Sequence, residues 1–227
     1  MSKHITALLI ALGLLCGQLS ADTHVRSLRK ALDGRSWMAQ QAEWPCFYRG
    51  SLQQQRDIAG SEQAVRSSGR FWFDCRRGLI WQLDKPRVEV RVHTASRNDL
   101  VFNGRNRVRA LNGLVEQRIG LLMRSIFSGD MTTLADDFAL TEVTDETVRL
   151  VPRDTRAAAH IAALVLGGNE QTAYLVLEAP ETSGDSLTID LTDFAQHSGK
   201  SAECTQWLSD DTSACDALRS PLRYLQR

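Results

Sequence analysis

The side chains able to do chemistry are few in this sequence, and their spacing offers no catalytic motif. The histidines at 4, 24, 93, 160 and 197 include no H-E-x-x-H pair, the spacing with which a helix presents two imidazoles to one metal ion. No G-x-S-x-G nucleophile turn and no glycine-rich phosphate loop occurs. Asp136-Asp137 and Asp210-Asp211 offer carboxylates for a weak calcium site, yet paired aspartates serve equally in solvated loops and at helix N-termini. His93 falls in an alternating segment and is expected on its polar, solvated side. No enzymatic activity, metal or cofactor is expected from this pattern. The 27 basic residues balance the 27 acidic ones, and no basic stripe points to a nucleic-acid partner.

Cysteine chemistry is the exception. Met1–Ala21 reads as an export signal, with Lys3 at its start, the apolar run Ile5–Leu15, and Leu19-Ser20-Ala21 placing a small residue at the cut. The run is too short to span a bilayer. Leu15 precedes Cys16 where a lipoprotein signal wants a small side chain, so Cys16 is expected to leave with the signal. Loss of Lys3 then leaves a mature chain from Asp22 with one net negative charge. Cys46, Cys75, Cys204 and Cys215 remain, and an even count behind an export signal favours disulfides, with three pairings open.

The elements that position these residues can be read from the turns. Gly60-Ser61 suits a two-residue type II′ turn. Folding there sets Leu52 opposite Gly69, Gly50 opposite Phe71, Tyr48 opposite Phe73, and Cys46 opposite Cys75. Directly opposed antiparallel residues lie roughly 4.5–5.5 Å apart, a separation that a disulfide tolerates. Arg76-Arg77-Gly78 then reads as a three-residue hairpin loop with glycine in the left-handed position, setting Leu79, Trp81 and Leu83 opposite Cys75, Phe73 and Phe71. A four-residue turn at Asp84–Arg87 places Val88, Val90 and Val92 on the same face. One face of this sheet would carry all these apolar groups together with Tyr48 and Leu52. The reverse face would be polar apart from Trp72 and Ile80. Such a sheet requires a cover.

Leu114–Phe127 supplies one, with Val115, Ile119, Leu122 and Ile126 at the spacing of a helix face. Asp130–Asp136 adds a short helical turn, and Asp22–Trp37 reads as a further helix with Val25, Leu28 and Leu32 on one side. Strands are expected at 100–102, 107–111, 138–143, 147–152, 161–167, 173–178 and 186–191. With the meander they number about eleven. No repeat or linker divides the 227 residues into two domains.

This order of segments resembles the LolA family, periplasmic carriers of outer-membrane lipoproteins. The resemblance rests on "GRFWFDCRRGLIWQLDKP", then "LMRSIFSGDMTTLADDFAL", "VRLVPRD", the strand pair around 161–178 and "GDSLTIDLTDF", and covers residues 22–195. It implies an α+β, mainly β fold: an incomplete antiparallel barrel of about eleven strands closed by a helical lid. It also implies a periplasmic carrier or chaperone for the acyl chains of lipoproteins or of another amphiphile, such as an aryl polyene-type lipid. Such a carrier would act as a monomer, meeting an inner-membrane donor and an outer-membrane acceptor in passing. A lipoprotein-sensing regulatory module is the alternative. The implied acyl-chain site comprises Phe71, Phe73, Leu79, Trp81, Leu83 and Val90, under a lid bearing Ile119, Leu122 and Ile126. Family members often carry a lid-controlling arginine where this chain has Cys75, which leaves Arg76 and Arg77 as candidates for that role. The tail, residues 196–227, departs from the family; Cys204 and Cys215 could close a loop in it.

Overall fold

The structure, a computed structural model, describes residues 46–103, 107–111, 114–144, 147–168, 172–208 and 212–225. The expected export signal and the helix expected at 22–37 both fall outside the described residues. Eleven strands form one antiparallel open sheet: β1 (Phe47–Asp57), β2 (Val65–Asp74), β3 (Gly78–Lys85), β4 (Glu89–Thr94), β5 (Leu100–Asn103), β6 (Arg107–Ala110), β7 (Phe138–Val143), β8 (Thr147–Pro152), β9 (Ala163–Gly168), β10 (Ala173–Glu178) and β11 (Ser186–Gln196). Helices α1 (Leu114–Ser128) and α2 (Met131–Asp137) lie between β6 and β7. A short α3 (Thr155–Ala158) follows β8, and α4 (Ser201–Leu208), α5 (Thr212–Arg219) and α6 (Leu222–Leu225) form the tail.

Connectivity explains the lid. Because β11 returns to pair with β1, the strand order is β6-β5-β4-β3-β2-β1-β11-β10-β9-β8-β7. The two free edges are therefore the strands that flank α1 and α2. The segment between them must pass from one edge of the sheet to the other. Inner-face residues from both wings, among them Trp81 of β3 and Leu164 of β9, join Leu122, Ile126 and Phe127 of α1 in one core. The sheet thus wraps around the helix, in the architecture that the family resemblance implied.

The β1–β2 register is the expected one: Leu52 pairs with Gly69, Gly50 with Phe71 and Tyr48 with Phe73. Its connection differs from the expected tight turn. Pairing ends at Arg56–Val65, and a β-turn closed by the Ser61 N–H on the Ile58 carbonyl puts Gly60 at φ +76°. Cys46 and Cys75 are bonded, with Cα atoms 4.9 Å apart.

Two registers differ from expectation. At β2–β3 the turn is Cys75-Arg76-Arg77, and Gly78 already pairs with Asp74. Leu79 thus faces Phe73, and Trp81 faces Phe71. The shift is even, so the apolar face survives. At β3–β4 the shift is odd. β3 continues to Lys85, the connection is Pro86-Arg87-Val88, and Leu83 pairs with Glu89. A one-residue slip turns every side chain of a strand to the other face. Val90 and Val92 therefore lie on the outer face, Val88 is exposed in the connection, and Glu89, Arg91 and His93 point inward.

What decides this register is a second apolar layer. Trp72, Ile80, Val90, Val92, Leu100 and Phe102 pack beneath the tail helices, so the outer face is not the polar surface expected. Sheet side chains satisfy the C-terminal carbonyls of α4: Arg70 donates to the Trp207 carbonyl at 2.6 Å and Gln82 to that of Leu208 at 3.0 Å. Such donors complete the unpaired carbonyls of a helix end. Asp84 is held in β3 by Arg70 and Gln82 at 3.1 and 2.6 Å. That pairing keeps it out of the turn. Cys204 and Cys215 are bonded and buried, joining α4 to α5.

His197 pins the tail to the sheet. Its ring stacks on Trp72 at 3.5 Å between centroids. Its Nε2 donates to the Phe73 carbonyl at 2.8 Å, and its Nδ1 accepts the Gly199 N–H at 2.9 Å. Both nitrogens are in use in the neutral form, and burial holds the pKa below the ordinary histidine value. In the unfolded chain the ring takes a proton near pH 6.5. Between that pH and the lower folded value the unfolded state binds more protons, so stability falls as the pH falls. Denaturant titrations from pH 7.5 to about 5 are expected to show this slope, weakened in His197→Gln. Replacing Cys204 and Cys215 together by serine is expected to cost about 2–3 kcal/mol of unfolding free energy under oxidising conditions, read by the same titration.

Candidate functional site

The inner face is not uniformly filled. Behind the C-terminal turn of α1 it is packed solid: Phe127 stands at centroid distances of 5.1, 5.9 and 6.2 Å from Phe71, Phe73 and Trp81. It also stacks parallel to Tyr48 at 5.9 Å. The Tyr48 hydroxyl donates to the Phe127 carbonyl at 2.6 Å. Burial pushes that phenol well above its ordinary pKa, keeping it a donor. The void left beside Met123, Ile126 and Phe127 is about 10 Å³, at most room for a single water.

Toward the end of the sheet that carries the β1–β2 and β10–β11 connections, the inner face opens into a half-open groove of about 430 Å³. This lies within the roughly 300–1,000 Å³ of small-molecule sites. Trp81 and Leu83 of β3, Ile119 and Met123 of α1, and Leu177, Leu187 and Ile189 of β10 and β11 make it apolar. Its mouth is charged. Arg56 pairs with Asp185 at 3.1 Å, Arg91 with Glu89 at 2.6 Å, and Glu178 with Arg149. One wall is β4, which presents Glu89, Arg91 and His93 in succession.

The residues singled out from sequence divide accordingly. Trp81, Leu83 and Ile119 line the groove, while Phe71, Phe73, Leu79 and Leu122 lie in the packed core. Ile126 is also core and touches the small void. Val90 is excluded from the inner face altogether; it lies under the tail. Arg76 and Arg77 are exposed on the β2–β3 turn. Arg77 turns to Asp74 at 3.6 Å and to the Gly199 carbonyl at 3.5 Å, away from α1.

The polar tie to the helix comes from another place. Arg124 of α1 reaches both carboxylate oxygens of Asp99 at 3.2 Å. Asp99 is buried and also accepts the Thr94 N–H at 2.8 Å and contacts His93 Nδ1 at 2.9 Å. His93 is 4% exposed, a correction to its expected solvated position, and follows from the β4 register. Asp99 and Arg124 face a second, polar cavity of about 450 Å³ with Arg97, Asp136 and Asp137. Among the described residues no group of three metal-ligating side chains occurs. Sequence reasoning missed this cluster because its members come from a strand, a turn and a helix. Phe127 and Met123 were legible: they widen the Ile119–Ile126 stripe by one position each.

Comparison with solved structures finds proteins of similar fold at low identity. A DUF1329 family protein from Desulfovibrio piger is 11% identical, with a TM-score of 0.43 over 80% of this chain and 93% of that one. A putative outer membrane lipoprotein-sorting protein domain from Vibrio parahaemolyticus is 9% identical, with a TM-score of 0.42 over 79% and 94%. A LolA superfamily protein from Nitrosomonas europaea is 12% identical, with a TM-score of 0.41 over 76% and 93%. No family model and no curated protein matches the chain.

Gly120 lets α1 seat on this cluster, since a Cβ there would stand 2.3 Å from Asp99 Oδ2 and 2.7 Å from His93 Nδ1. Alanine gains up to about 1 kcal/mol of helix propensity over glycine, against about 1–3 kcal/mol for overpacking. Because the opposing atoms are themselves hydrogen-bonded, the clash is expected to win. Gly120→Ala should lower the melting temperature and weaken protection of the α1 amides in hydrogen exchange.

Proposed function

We propose that the chain is a periplasmic carrier that holds the acyl chain of a lipoprotein, or of another amphiphile such as an aryl polyene-type lipid, in the groove beneath α1. The observation that supports this is the groove itself: an apolar space left open between a sheet and one helix, directly beside a core packed to capacity. Each buried methylene contributes about 0.8 kcal/mol, so a chain of some fourteen carbons prefers such a space to water by roughly 10 kcal/mol. A carrier must also release what it binds. Phe127 and its neighbours fill the inner face beyond the groove, so a longer chain enters by displacing α1, and helix and cargo compete for one surface. Loading is then a shift between two populations.

The charged mouth suits a polar head left in water, and the donor and acceptor membranes' partners would meet the carrier there. Two disulfides fit an oxidising compartment. No cofactor enters this cycle.

Leu187 is half-buried on the groove wall, where a carboxylate could still reach solvent and spare the fold. Leu187→Glu is expected to weaken binding of palmitic acid at least tenfold in calorimetric titration, with the far-ultraviolet spectrum unchanged. Undiminished binding by that variant would remove the groove as the site.

A further inference from the structure

The β4 wall is poorly suited to a plain hydrocarbon chain. Had the valines faced inward, the groove would be apolar all round; instead it presents Glu89, Arg91 and His93. Glu89 and Arg91 satisfy each other at the half-exposed rim. His93 does not share their position. It lies two residues past Arg91 and four past Glu89, about 7 and 13 Å further along the strand, and its ring is buried. Asp99 receives the Arg124 guanidinium and the Thr94 N–H, so it is a carboxylate that accepts the Nδ1 proton of His93 across 2.9 Å. Nε2 is left over. The ring's hydrogen bond among the described residues is made by Nδ1, and Nε2 is not among the buried atoms lacking a partner, so it keeps access to the groove that His93 borders.

Resting on the carrier reading, we propose that the groove recognises a hydroxyl group borne on the apolar chain of its ligand, and that His93 Nε2 is the atom that binds it. A ligand with a saturated, unsubstituted chain would leave this nitrogen dry and unpaired, which buried polar groups avoid. A carboxylate could meet Nε2 only when the ring is protonated. A hydroxyl fits in both states, donating to the neutral nitrogen and accepting from the protonated one. Sites built around a buried hydrogen-bonding group reject analogues that lack its partner. The ligand class is thus an amphiphile with a hydroxylated or phenol-ended chain, whose acidic head stays at the mouth near Arg56 and Arg91.

The test compares palmitic acid with ω-hydroxypalmitic acid on the delipidated full chain. Wild type is expected to prefer the hydroxy acid by about tenfold, the scale of one hydrogen bond. His93→Leu is expected to bind both acids alike, and His93→Gln, whose amide can still pair with a hydroxyl, to keep part of the preference. Nitrogen NMR of wild type gives a readout independent of the variants' folding: the hydroxy acid should shift the His93 Nε2 resonance and palmitic acid should not. Equal affinity of wild type for the two acids, or a preference kept by His93→Leu, overturns the proposal and leaves the carrier reading intact. Binding of neither acid removes the carrier reading as well.

Discussion

A sheet that is apolar on both faces is stable in water only when both are covered. Everything distinctive in this fold follows from how that demand is met. The inner face wraps around α1, a helix forced across the sheet by its connection from one edge strand to the other. The outer face of β2–β5 is covered by helices from the chain's end. The two covers compete for the side chains of β4, and the outer one takes the valines.

That allocation shapes the chemistry of the groove. Once Val90 and Val92 serve the outer layer, alternation leaves Glu89, Arg91 and His93 nowhere to point but inward. Their polarity is tolerated because each has a local answer. Arg91 and Glu89 neutralise each other at the rim, and His93 is backed by Asp99, itself held by Arg124. The same Asp99–Arg124 contact fastens α1 to the sheet, and Gly120 permits the approach. A strand's register, a helix's seating and the polarity of a cavity wall are thus one arrangement.

Much of this was legible in the sequence, and the failures have a common cause. Tyr48, Phe71 and Phe73 alternate strictly, and the paired positions of Cys46 and Cys75 independently check the β1–β2 register, so that pairing could be read without a structure. The parity of β2–β3 tolerated a misplaced turn because the error was even. At β3–β4 both parities offer a plausible strand: one face reads Val-Val-Val, the other Glu-Arg-His. Local pattern favours placing valine with tryptophan. Only the tail helices, whose docking surface no local pattern announces, reverse the choice. His93, Asp99 and Arg124 were invisible for a similar reason, since burial of charges is arranged between distant segments and not within one.

The position of the Cys46–Cys75 bond has a mechanical meaning. It ties the start of β1 to the β2–β3 turn, while the groove's mouth lies near Arg56, at the other end of β1. About 35 Å of strand separates the two. The β1–β2 hairpin is therefore closed at both ends, by this bond at one and by the turn at Ile58–Ser61 at the other. A pair of strands joined at both ends cannot unzip from either, so that wall of the groove keeps its shape and room for a bulky guest has to come from the helix side. The Cys204–Cys215 bond lies in the outer layer, on the opposite face of the sheet from α1.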